Sequence, residues 1–218
     1  MFSYEPNFEL ARSRMVEEQL RRRGIHDSRV LEAMATMPRH EFINAEHRHR
    51  AYDDEPVEVG EGQTISQPLM VAIMLQALQL TADAHVLEIG TGTGYQAALL
   101  AKLAKSVVTV ERIASLAARA RENLGRLGLD NVKVVESDGT SGFPELAPYD
   151  RIIVAAAAPA APRPLLDQLA DEGILLLPIG DSYSQVLTRV RRRGDEYLHG
   201  SRDHCRFVPL IGRWGFAE

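Results

Sequence analysis

The chain is nearly free of cysteine: among 218 residues only Cys205 carries a thiol. One thiol excludes an internal disulfide framework, and no Cys/His spacing suits a structural metal. Nor is there an apolar run long enough for a transmembrane helix. The first residues include Glu5 and Glu9 and lack an apolar stretch, so a signal peptide is not expected. A basic excess is also missing. Lys and Arg number 25 against 30 Asp and Glu, for a net charge of −5. That balance argues against a general nucleic-acid binder. The short runs Arg21-Arg22-Arg23 and Arg191-Arg192-Arg193 read as solvated element ends rather than phosphate patches. No internal repeat, low-complexity segment or flexible linker is found. These absences leave a globular protein expected to be cytoplasmic and monomeric, without nucleic-acid or membrane partners.

What is present is an ordinary globular composition, 45% hydrophobic and 25% charged. The length suits one domain with an added part. We expect a helical, substrate-binding part over 1–82 and an α/β core over 83–218. Residues 7–23 read as a helix capped by Asn7 and closed by Gly24. Asp27 caps a second helix that ends at Pro38. Residues 39–52 are polar and hold His40, His47 and His49, but no acid or cysteine completes a metal-ligand set, so no metal is expected. No role is read for these histidines or for Cys205. A loop then ends at Gly60 and Gly62, and an apolar helix runs from Pro68 to Leu80.

From 84 onward strands and helices alternate regularly, which is the pattern of a parallel sheet. Strands are expected at 85–89, 106–110, 132–136, 151–155 and 173–178, with helices at 95–104, 113–127 and 165–169 between them. Residues 185–190 and 196–199 read as a hairpin turning at Arg193-Gly194-Asp195, and 207–211 as a last strand.

The motif that organises this core is Val86-Leu87-Glu88-Ile89-Gly90-Thr91-Gly92-Thr93-Gly94-Tyr95. Glycines at 90, 92 and 94 permit positive φ and a close approach of backbone to ligand. Such a turn lies at the carboxyl end of the first sheet strand, where open α/β sheets bind ligands. Tyr95 occupies the place where G-x-G-x-x-G needs glycine, so a dehydrogenase fingerprint is not met. Glu111 ends the next strand about twenty residues on, where a carboxylate accepts from both ribose hydroxyls. Asp138-Gly139 ends the third: either the acid accepts from an adenine amino group beside the space left by Gly139, or the pair is simply a turn. Glu88 either meets the cationic amino-acid end of a cofactor or orients the loop. Three acids at successive strand ends suit a nucleoside cofactor without phosphate.

Upstream, Gln63-Thr64-Ile65-Ser66-Gln67-Pro68 precedes the apolar helix. Ser66 is either the N-cap of that helix or, with Thr64, a cradle for a carboxylate at a helix start.

These motifs together resemble the protein-L-isoaspartate (D-aspartate) O-methyltransferase family over nearly the whole chain. The resemblance is carried by residues 15–25, by Met37-Pro38-Arg39-His40-Glu41-Phe42, by Ala51-Tyr52-Asp53-Asp54 and most specifically by 62–68. It continues through 86–96, Val110-Glu111-Arg112-Ile113, 149–159, 173–180 and Arg206-Phe207-Val208-Pro209-Leu210. Departures fall at Val57-Glu58-Val59-Gly60, Leu69 and Ala156. They bear on the substrate pocket more than on the reaction.

The resemblance implies a Rossmann-like, doubly wound, mostly parallel sheet of the class I methyltransferase type. It adds an N-terminal helical part and C-terminal antiparallel strands. It implies methyl transfer from S-adenosylmethionine to the free carboxylate of isoaspartyl residues, whose ester closes to a succinimide. Ser66 would hold the acceptor, with Thr64 beside it. Gly90, Thr91, Gly92, Gly94, Glu111, Arg112, Asp138 and Gly139, with Glu88, would serve the cofactor. Ile65, Arg206, Val208 and Pro209 would meet an extended substrate peptide. The competing readings are a carboxyl methyltransferase acting on another acid and a non-catalytic cofactor-binding module.

Overall fold

The computed structural model describes residues 7–181 and 183–217, with Arg202 described by its backbone only. The N-terminal rod begins as α1 (Phe8–Arg14), continues with π winding over Met15–Leu20 and tightens to a 3-10 turn over Arg21–Arg23. Asn7 Oδ1 accepts the Leu10 N–H at 3.0 Å. Gly24 closes the rod at φ +96°, in the left-handed region that glycine tolerates. Helix α2 (Ser28–Thr36) starts at Asp27, whose Oδ1 accepts from Arg29 and Val30 N–H. It stops at Met37, which is extended because Pro38 follows.

Residues 57–65 form a hairpin rather than the expected loop. Strand β1 (Val57–Gly60) pairs antiparallel with β2 (Gln63–Ile65). Val57 and Val59 are buried and Glu58 is exposed, the alternation of a half-buried strand. Helix α3 (Pro68–Leu78) follows, with Pro68 in its first turn where no N–H is needed.

The core is a seven-stranded sheet of β3 (His85–Ile89), β4 (Ser106–Glu111), β5 (Val132–Glu136), β6 (Tyr149–Val154), β7 (Leu169–Gly180), β8 (Gln185–Arg193) and β9 (Glu196–Cys205). Their order in space is β5-β4-β3-β6-β7-β8-β9. The first five pair in parallel, and β7–β8 and β8–β9 are antiparallel. The helices between parallel strands are α4 (Tyr95–Leu103), α5 (Ala114–Arg126) and the short α6 (Arg163–Asp167). After β3 the chain goes to β4 on one side, and β6 later fills the other. The crevice outside that switch point is where such sheets hold ligands.

Residues 207–211 are not a full strand. They make one isolated parallel bridge, Pro209 to Ala157 beyond the end of β6, while Ile211 bridges Phe216 in the C-terminal segment. Strand β3 shows how the sheet divides the core: Val86 packs on the side of the N-terminal helices, α3 and α4, whereas Leu87 and Ile89 pack with α6. The first of these clusters runs from Met15 to Leu187 and so joins both parts of the chain. Each large apolar side chain fully buried there contributes roughly 1.5–3 kcal/mol.

Candidate active site

Three backbone turns meet at one cavity. The glycine turn after β3 supplies Gly90, Thr91 and Gly92, the end of β4 supplies Glu111 and Arg112, and the segment entering α3 supplies Gln63, Thr64, Ile65 and Ser66. Gly139, Ala155, Ala156, Val208, Pro209 and Leu210 form further parts of the wall. Gly90 has φ +91° and Gly92 φ +55°, conformations in which a side chain is strained.

Glu111 is held at the cavity by the backbone it faces. Its Oε2 accepts the Gly92 N–H at 2.9 Å and its Oε1 the Ile113 N–H at 3.0 Å. Each oxygen keeps a further lone pair for a ligand hydroxyl. Opposite, Ser66 is half-buried and Thr64 exposed. The two readings of Ser66 separate here. The N-cap position belongs to Gln67, which makes no side-chain cap bond, and Asp54 Oδ1 instead accepts the Leu69 N–H at 3.2 Å. Ser66 is therefore not the cap of α3.

Glu88, Gly94, Asp138 and Arg206 lie outside the cavity lining. Glu88 is fully buried behind the glycine turn, not in front of it. Its Oε2 accepts from the Thr109 hydroxyl at 2.5 Å, and Thr109 bonds Thr91 at 2.6 Å, so it reaches the turn through two hydroxyls. Gly94 faces α5: a Cβ there would stand 3.4 Å from Ala120. Asp138 lines an adjoining concavity with Arg112, Gly212 and Phe216. Burial raises its carboxyl pKa, but hydrogen bonds from the Arg213 N–H and from Thr140 outweigh that and hold it below the usual range. Arg206 is exposed. Tyr95 and Gln96, at the end of the glycine-turn motif, and Val71 of α3 also line the cavity; Val71 carries the sequence signal of an ordinary helix residue. His40 does not join a metal site: it stacks on Phe8 at 4.0 Å and its Nδ1 meets the Tyr52 hydroxyl at 2.8 Å. Among the described residues no group of three His, Cys, Asp or Glu side chains converges to hold a metal.

Burial pushes the Glu88 carboxyl up to about 8 against the Thr109 hydrogen bond. A raised folded pKa means the folded state holds its proton more tightly. The stabilisation is complete below the ordinary value of 4.5 and is lost as pH climbs towards about 8. Glu88→Gln is thus expected to remove part of the fall in melting temperature between these limits. Parallel pH profiles for variant and parent would refute the shift.

Gly139 is needed for space rather than for φ. A Cβ there would lie 2.5 Å from Ile89 Cγ2. Gly139→Ala is expected to cost about 1–3 kcal/mol and, at ~2–4 °C per kcal/mol, to lower the melting temperature by several degrees. Calorimetric melting checks this, and an unchanged midpoint would mean that Ile89 yields freely.

The solved structures bear on this geometry. One protein-L-isoaspartate O-methyltransferase superposes with TM-score 0.85 at 30% identity, covering 94% of this chain and 67% of that one. A Plasmodium falciparum chain assigned to the same activity, in complex with S-adenosyl-L-homocysteine, gives 0.80 at 29% identity, covering 95% and 99%. Fold and site together define a class I methyltransferase. The sequence profile of protein-L-isoaspartate(D-aspartate) O-methyltransferase matches residues 11–215. Protein-L-isoaspartate O-methyltransferase 1 of Syntrophobacter fumaroxidans is 50% identical over 96% of this chain and 98% of its own length, and the Geobacter metallireducens enzyme 51% over 97% and 98%. The chain belongs to the protein-L-isoaspartate(D-aspartate) O-methyltransferase family.

Proposed function

We propose that the cavity seats the methyl donor on the glycine turn and the acceptor carboxylate on Ser66. The chain is a repair methyltransferase that uses S-adenosylmethionine to esterify isoaspartyl residues of damaged proteins. The observation that carries the residue assignment is the shared cavity: Ser66 and Thr64 line the same space as Gly90, Gly92 and Glu111.

The residues fit a sulfonium nucleoside. Two glycines leave room at the turn, and Glu111 offers carboxylate oxygens to ribose hydroxyls. When bound, the cofactor supplies an electrophilic methyl group. Gly90, Thr91 and Gly92 receive its amino-acid end, Arg112 borders it, and Gly139 receives the adenine, with Asp138 bracing that turn through Thr140. Glu88 acts from behind, orienting the loop through Thr109 and Thr91.

A carboxylate acceptor is ionised at neutral pH, since carboxyl pKa values lie near ~4. No general base is required. The work of the chain is to hold the acceptor oxygen in line and to exclude water. The Ser66 hydroxyl donates to that carboxylate, with Thr64 beside it. Ile65, Val208 and Pro209 border the acceptor and contact the peptide. Val208 C=O and Leu210 N–H bond Ala157 at 2.8 and 2.7 Å. Pro209 therefore turns its own carbonyl to the opposite edge, where an extended peptide can pair irrespective of its side chains. Arg206, exposed three positions before Pro209, would meet the same peptide.

We read the chain as one domain, its N-terminal part over 1–82 supplying the acceptor side and 83–218 the cofactor side. The shared core cluster supports this. A monomer in the cytoplasm without nucleic-acid partners is the form supported by the net charge of −5 and the lone cysteine. Among the described residues no helix is long and apolar enough to cross a membrane. The test is transfer of labelled methyl from S-adenosylmethionine to an isoaspartyl peptide, with the normal aspartyl peptide as control. Equal labelling of both would overturn the assigned acceptor.

A further inference from the structure

Arg39 heads the fully buried large side chains of the described residues, with no solvent exposure at all. Its Nε donates to the Ala51 carbonyl at 2.7 Å and its Nη2 to the Ser66 carbonyl at 2.8 Å. The guanidinium carbon lies 4.9 Å from the centre of the Tyr95 ring, which lines the cavity. Nη1 is buried without a hydrogen bond of ordinary geometry, and the Tyr95 side chain is the neighbour that favours its charge. One acid, Asp54, acts on this charge from nearby. That acid is already paired with Arg23 and bonded to the Leu69 N–H. The cation is thus held by two carbonyls and the Tyr95 side chain, and the one acid that acts on it, Asp54, is shared with Arg23.

Such a placement is costly, because a buried charge loses its hydration and needs a partner to recover it. Pinning two carbonyls does not require a charge; a neutral amide donor would do it more cheaply. What the charge adds is a positive field immediately behind Ser66. The substrate group that docks at Ser66 arrives as an anion. In a water-poor wall this field acts at higher strength than in solvent.

We propose that Arg39 is a positioning residue for the acceptor: it pins the Ser66 carbonyl and sets a buried, only partly neutralised positive charge behind the acceptor carboxylate. The proposal rests on the assignment of Ser66 to the acceptor. It explains why one guanidinium joins the acceptor segment, residue 51 and the first residue of the cofactor helix α4. Arginine suits this role because its fork reaches two carbonyls at once and stacks flat on an aromatic ring.

The test is calorimetry in the presence of S-adenosylhomocysteine, titrating an isoaspartyl peptide and its neutral isoasparaginyl counterpart into wild type, Arg39→Gln and Arg39→Lys. The readout is the ratio of the two affinities, which a merely structural staple would leave alone. Arg39→Gln is expected to lower the preference for the charged peptide at least about tenfold, with cofactor affinity retained. Arg39→Lys is expected to keep that preference within about threefold but to lose turnover, because an ammonium lacks the fork. Equal weakening of both peptides in Arg39→Gln, with the ratio unchanged, overturns the proposal. Should Arg39→Gln not fold, wild-type turnover in Arg39→Lys overturns it. In 15N-labelled wild type, the Arg39 side-chain resonance is expected to move with the isoaspartyl peptide and not with the neutral one, and equal shifts count against the field. Ser66→Ala in the same series separates the two assignments. If it retains turnover the Ser66 role fails, whereas an unchanged ratio beside an inactive Ser66→Ala condemns Arg39 alone.

Discussion

Ser66→Ala is expected to lose turnover on an isoaspartyl peptide by about 100-fold or more, the scale for removing one preorganised donor from a reacting oxygen. Cofactor affinity and melting temperature are expected to stay near the parent values. The reason is local. The hydroxyl does not cap α3, since Gln67 holds that position and Asp54 takes the Leu69 N–H. Its removal therefore leaves the helix start intact. The carbonyl of residue 66 still accepts from Arg39, so the backbone stays placed. Only the donor to the acceptor carboxylate disappears. Rates on a saturating peptide, with cofactor binding measured separately, decide the matter. A variant that turns over like the parent would move the acceptor site away from Ser66.

Glu111→Ala is expected to weaken S-adenosylmethionine binding by about 1.5–3 kcal/mol, the range for hydrogen bonds to a charged group, or ~10–150-fold in Kd. Two effects act in the same direction. The ribose loses its acceptor, and the N–H groups of Gly92 and Ile113 lose the carboxylate that holds them at 2.9 and 3.0 Å. The second effect loosens the glycine turn itself. With the acceptor assigned to Ser66 and Thr64, the peptide KM at saturating cofactor is expected to change little. Calorimetric titration with the cofactor is the check, and an unaltered Kd would place the ribose elsewhere. Together the two variants separate the donor and acceptor halves of the cavity.

Much of this was legible in one dimension because it is local chemistry. The glycines at 90 and 92 need positive φ, and a strand-to-helix turn is a property of a few adjacent residues. The alternation of elements after 84 follows from hydrophobic periodicity and predicts the parallel sheet. Asn7 and Asp27 cap their helices as their side chains suggest. The hairpin β1–β2 was missed although Val57-Glu58-Val59 alternates, because the glycines at 60 and 62 read as loop punctuation when they form its turn. The last expected strand shrinks to a single bridge between Pro209 and Ala157, because pairing there depends on a distant segment of the chain and not on local alternation.

What the spacing leaves open is direction. A sequence places Glu88, Asp138 and Gly94 beside the ligand-binding turns but does not tell which way each faces. In β3 the side chains alternate, and the pleat turns Glu88 beneath the turn, where Thr109 meets it. Asp138 turns to Thr140 and to Arg213, from a segment 75 positions later. Gly94 serves close packing of α5 and not the cavity. Arg39 shows the same limit from the other side. In the sequence it is one arginine in a polar stretch, yet in three dimensions it is wholly buried and reaches Ala51, Ser66 and Tyr95.

The sequence by itself determined the alternating core, the cofactor turn, the acid at the end of β4 and the family, because these depend on spacing and on short-range backbone needs. Only the tertiary structure decided that Ser66 is free of capping, that Glu88 is buried against Thr109 and that the buried Arg39 cation holds the Ser66 carbonyl. Those facts depend on residues far apart in the chain whose burial and partners exist only after the sheet and the N-terminal helices have packed together.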